Sequence, residues 1–66
     1  MIVALAHCPT ELGGPVLVQP LGVAFDVAEA EELIPAWLRE QKANAVAVEI
    51  WSLGAGTPKL ERTVTV

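Results

Sequence analysis

The period of the hydrophobic positions changes along the chain, and each change predicts an element. Ile2 to Ala6, IVALA, is apolar at every position, the signature of a strand covered on both faces rather than one with a wet side. A central strand, or one at a subunit contact, is expected there. HCPTELGGP follows, a predicted loop punctuated by Pro9, Gly13, Gly14 and Pro15. In VLVQPLGVAF two short apolar runs, Val16 to Val18 and Val23 to Phe25, flank Pro20 and Gly22. Pro20 suits the second position of a type I turn and Gly22 the fourth, so the segment predicts a hairpin. The alternative is one extended edge segment, since Pro20 has no N–H to give to a ladder.

A period near 3.6 then sets in. Val27, Ala30, Leu33, Ile34, Trp37 and Leu38 recur at three and four residues and form one apolar stripe of a helix from Val27 to Lys42. Asp26 is placed as its N-cap, with Glu29 three residues on completing a capping-box pattern. Acids fill the first turns, and Arg39 and Lys42 the last, in the sense the helix dipole favours. Pro35 removes one internal hydrogen bond at a cost of about 3 kcal/mol, so a kink or a break into two helices is expected there.

Strict alternation returns in NAVAVEIWSL. Val46, Val48 and Ile50 share one face, and Ala45, Ala47, Glu49 and Trp51 the other. GAGTP reads as a turn and KLERTVTV as the returning strand, with Leu60, Val64 and Val66 against Glu61, Thr63 and Thr65. Pairing Val48 with Val64 sets Ile50 opposite Arg62 and Trp51 opposite Glu61. The aliphatic face can take the helix stripe, while the face of Trp51 is too apolar for an ordinary wet surface. The sum is an α+β fold: a four- or five-stranded, largely antiparallel sheet with one helix packed on one face, in the order β, β-hairpin, α, β-hairpin.

Composition sharpens this picture. The 66 residues allow one domain, and a domain of this size leaves about 40% of its unfolded surface wet. One cysteine excludes an internal disulfide, and with one histidine it falls two soft ligands short of a closed zinc site. Of the usual supports for a small chain, association with copies of itself is the one left. Hydrophobic residues make up 53% and charged ones only 18%. Ten alanines inflate the first figure, yet Val, Leu and Ile still occupy twenty positions.

A net charge of −4 argues against a surface built to neutralise phosphates, so no nucleic-acid partner is expected. Four of the eight acids fall between Asp26 and Glu32, where the helix start explains them. The opening MIVALAHC lacks the basic region and the length of a secretory leader, and no run approaches a membrane span. A cytoplasmic chain with a reduced thiol and no membrane partner is expected.

Candidate chemistry is sparse. His7 and Cys8 adjoin, but neighbours on a strand point to opposite faces, and no Lys or Arg occurs before Arg39 to lower a thiol pKa. The glycines of TELGGP and GAGT precede no helix and have no phosphate-loop spacing. Glu49 is the one acid inside an apolar strand, beside Trp51, with Arg62 and Thr63 as prospective partners. No catalytic residue, metal or cofactor is assigned, and the balance leans away from an enzyme. The expected function is a small interaction or structural module that self-associates through its sheet, as a dimer in the first instance, with Trp51, Ala47 and Ala45 at the interface. The alternative is a small-ligand binder or minimal enzyme with a pocket at a subunit boundary, drawing on Glu49, His7 and Cys8.

Overall fold

The all-apolar run at the start of the chain becomes an interior strand of a single four-stranded sheet. In a computed structural model describing residues 1–10 and 13–66, the elements are β1 (Ile2–Pro9), β2 (Val16–Ala24), α1 (Val27–Gln41), β3 (Ala47–Ser52) and β4 (Lys59–Thr65). Glu11 and Leu12, within the predicted loop, lie outside the described residues. The sheet order is β2-β1-β3-β4, and every pairing is antiparallel. The fold is therefore α+β with one helix, as the pattern of hydrophobic positions implies.

Two corrections concern the first half. His7, Cys8 and Pro9 belong to β1 rather than to a loop, paired with Val18, Leu17 and Val16 of β2. The predicted hairpin of Val16–Val18 and Val23–Phe25 is instead one continuous edge strand, as the missing N–H of Pro20 allows. Its irregularity appears as a bulge: Leu5 faces Pro20 and Ala4 faces Gly22, so Leu21 is the extra residue. Leu21 turns into the core, only 5% exposed.

The helix is anchored at both ends. The Glu29 N–H donates to Asp26 Oδ1 over 2.8 Å, and the Glu29 carboxylate accepts from the Phe25 N–H at 3.2 Å, one residue before the cap. At the other end Lys42 adopts the left-handed conformation (φ 53°, ψ 38°), and the Ala43 N–H donates to Leu38 O at 3.0 Å. Pro35 is exposed, and the helix runs through it unbroken. Ala30 and Ile34 form the buried centre of its stripe, with Val27, Trp37 and Leu38 packed around them.

Helix and sheet approach closely because the residues between them are small. The core consists of Ile2, Ala4, Ala6, Leu21, Ala24, Ala30, Ile34, Val48 and Ile50. Trp37 lies against Gly22, where an added Cβ would come within 2.6 Å of the indole. The described residues form one helix, so one face of the sheet is covered and the other is open. The coverage of β1 on both faces that its unbroken apolar run suggests is not achieved within one copy.

The candidate interface on the open sheet face

Register decides what the open face carries, because directly paired residues share a face. Three rows cross it: Val23, Val3, Trp51 and Leu60; Pro20, Leu5, Glu49 and Thr63; Val18, His7, Ala47 and Thr65. Trp51 meets Leu60 and not the expected Glu61, because a bulge between Ile50 and Trp51 leaves Glu61 as the extra residue of β4. The correction makes this face more apolar. It sends Glu61 toward Ser52, whose hydroxyl donates to the Glu61 carboxylate at 3.0 Å.

Of the predicted interface residues, Trp51 and Ala47 lie on this face. Ala45 precedes β3 and packs against the core cluster instead. Val18, Val23 and Leu60 are 53%, 57% and 43% exposed, while Val3, Leu5 and Trp51 are half-buried by their neighbours. Among the described residues, a monomer thus presents a contiguous apolar surface with nothing packed over it.

Into the middle of that surface the topology brings a polar cluster. His7 Nε2 lies 2.9 Å from Glu49 Oε1, and the Trp51 indole N–H donates to the same oxygen over 3.2 Å. Trp51 reaches Glu49 because residues two apart on a strand share a face. His7 reaches it diagonally, since β1 and β3 pair Leu5 with Glu49 and His7 with Ala47. Both members of the pair are partly covered, with side chains 30% and 26% exposed. His7 first, and then the indole N–H, hold the Glu49 carboxyl below its usual range, against a weaker upward push from partial burial.

The remaining candidates separate. Cys8, adjacent to His7 in sequence, lies on the helix side, where it is half-buried and packs against the core. His7 and Cys8 therefore do not form a thiol–imidazole pair. Arg62 does not meet Glu49 either. It extends on the helix side to Glu31, 2.8 Å away. The contact of His7 with Glu49 goes unread in the sequence because it depends on β1 lying beside β3, a pairing between segments some forty residues apart with no local signal.

Among the described residues no group of His, Cys, Asp and Glu is arranged to hold a metal, and no helix is long and apolar enough to cross a membrane. No family model matches the chain, and neither the curated proteins nor the solved structures contain a match.

Proposed function

We propose that the chain is an interaction module that self-associates by laying its open sheet face against the same face of a second copy. The observation that carries the reading is the row structure of that face. Val3, Leu5, Val18, Val23, Trp51 and Leu60 are contiguous, and the titratable side chains among them, His7 and Glu49, are in contact with each other. A face that is apolar and whose two titratable side chains meet each other can be self-complementary, which is what a two-fold contact needs.

Size supports the same partner. The molecule measures 37 × 25 × 16 Å, so a broad face has room for the roughly 800 Å² per partner of a stable interface. Trp51 then takes the role of the central anchor, the residue type that most often dominates such contacts. The acidic net charge, −4, gives no reason to invoke nucleic acid. The unpaired Cys8 fits a reducing compartment, so a cytoplasmic location belongs to this proposal.

A second reading retains one specific observation. The Glu49 carboxylate, held between an imidazole and an indole, is the one acid of the open face among the described residues and would orient a small ligand at a subunit boundary. Cys8 takes no part in such a site, since it lies on the other side of the sheet.

The deciding measurement is solution mass by sedimentation between 1 µM and 1 mM. The expected result is a concentration-dependent rise toward twice the 7.0 kDa chain, abolished in Trp51→Glu and in Val23→Lys. Val23 is an exposed edge-strand position, so its variant tests the contact with little risk to folding. A wild-type chain that stays at single mass up to 1 mM overturns the reading, as does a Val23→Lys variant that assembles as well as wild type.

A further inference from the structure

We propose that self-association through the open face is proton-linked, and that the His7–Glu49 pair decides whether the face can be covered. The inference rests on the preceding reading that a second copy is what covers it. Its starting point is an inventory of charge. Among the described residues, β1 contributes His7 to this face and β3 contributes Glu49. β2 presents Val18, Pro20 and Val23, and β4 presents Leu60, Thr63 and Thr65. The charged residues of β4 are engaged elsewhere: Arg62 with Glu31, and Lys59 with Glu61. α1 lies on the opposite side, and the Met1 ammonium donates to Leu53 O. Among the described residues, His7 and Glu49 are thus the titratable groups that a covering copy would bury.

An imidazole changes charge between about pH 5 and 8. When His7 is protonated, it and the Glu49 carboxylate sum to zero, 2.9 Å apart, and the open face is neutral. When His7 loses its proton, Glu49 remains an anion that accepts from the neutral Trp51 indole N–H. Covering the face then strips water from a net negative charge, which is strongly unfavourable without a cation beside it. A two-fold contact compounds the effect, because each copy brings its own carboxylate to the same interface. The associated form therefore binds protons more tightly than the free chain. By reciprocity, protons favour association.

The sign can be reversed by mutation. In Glu49→Gln the face is neutral when His7 is unprotonated and carries an unpaired cation when it is protonated, so association should be tighter at high pH. In His7→Gln the carboxylate is unpaired at either pH, so association should be weak at both. A general effect of net charge on a −4 chain would also vanish in His7→Gln, since His7 is the one histidine, but it would leave the pH difference uninverted in Glu49→Gln.

Sedimentation equilibrium of the full chain at pH 6.0 and 8.0, with salt held constant, tests this. The expected results are a dissociation constant at least tenfold lower at pH 6.0 for wild type, a ratio near one for His7→Gln and an inverted ratio for Glu49→Gln. Equal association of wild type at both pH values, or a pH difference that survives in His7→Gln, overturns the proton linkage and leaves the sheet-face contact standing. A chain of single mass at both pH values overturns both.

Discussion

Ile50 and Trp51 are neighbours on β3 and meet opposite surroundings: Ile50 is fully buried under α1, and Trp51 is half-covered on the open face. The same division runs through the whole sheet. The helix side is lined by Ala4, Ala6, Ala24 and Gly22 beside Ile2, Val48 and Ile50, whereas the open side holds Val3, Leu5, Val18, Val23, Trp51 and Leu60. Small residues let the helix come close. They also bury little apolar area, and four of the nine core residues are alanines. Since stabilisation scales with the area removed from water, at about 25 cal/mol per Å², much of the chain's apolar capital lies on the side that one copy cannot cover.

Substitution within β3 and β1 gives the largest contrast. Ile50→Ala opens a cavity in a fully buried site and should cost about 3 to 4 kcal/mol of folding stability, enough to unfold much of a chain this small. Leu5→Ala, one strand over on the open face, should cost under about 1 kcal/mol in dilute solution, because its surroundings are already half solvent. It should instead raise the dissociation constant of the proposed self-association. Urea unfolding at low concentration, set beside sedimentation at high concentration, separates the two effects. Equal folding losses for both variants would mean that the open face is part of the monomer's core.

A milder test probes the close approach on the helix side. Gly22 is not in a left-handed conformation, so its lack of a side chain matters for space alone, and Gly22→Ala would place a methyl 2.6 Å from Trp37. Displacing the indole should cost about 1 to 3 kcal/mol. A red-shifted Trp37 emission, read in a Trp51→Phe background, would accompany that loss. A neutral Gly22→Ala would show that the helix rides higher on the sheet than described.

The open face has its own acid limb. The Glu49 carboxyl lies below its usual range, owing to His7 and then to the indole N–H, so its folded pKa is lower than its unfolded one. Such a group contributes stability above its unfolded pKa, about 4.3, and loses it as pH falls through the folded value. Thermal unfolding of the dilute chain from pH 6 to 3 should therefore fall less steeply in Glu49→Gln than in wild type. Identical slopes would mean that the contact with His7 does not persist in solution.

How much of this was legible in the residues themselves follows the range of the interactions. The helix and its caps are local, and Asp26, Glu29 and the Val27 to Leu38 stripe announce them. The β3–β4 hairpin is nearly local, and alternation puts Val48 and Val64 on faces that can pair, as they do. The bulges at Leu21 and Glu61 do not, because inserting one residue changes no composition, yet each re-aims a strand. The bulge in β4 moves Leu60 onto the open face and Glu61 off it. The β1–β3 pairing is non-local, and with it the meeting of His7 and Glu49. The unbroken apolar run of β1 does announce that both its faces need cover, and the single helix supplies only one.

The smallest expected effect serves as the zero of the comparison, since it touches neither face. Lys42 closes the helix in the left-handed region, at φ 53°, a conformation that costs a residue with a side chain about 1 to 2 kcal/mol, part of which glycine would give back through its greater unfolded-state freedom. Lys42→Gly should therefore stabilise the monomer by about 0.5 to 1 kcal/mol, a rise of roughly 2 to 8 °C in Tm for a domain of this size. Because Lys42 lies at the turn into β3 and on neither broad side of the slab, the dissociation constant of the associated form should stay unchanged. If Lys42→Gly shifted the dissociation constant as much as Leu5→Ala does, monomer stability rather than contact across the open face would set the degree of assembly, and the division between the two faces would lose its meaning.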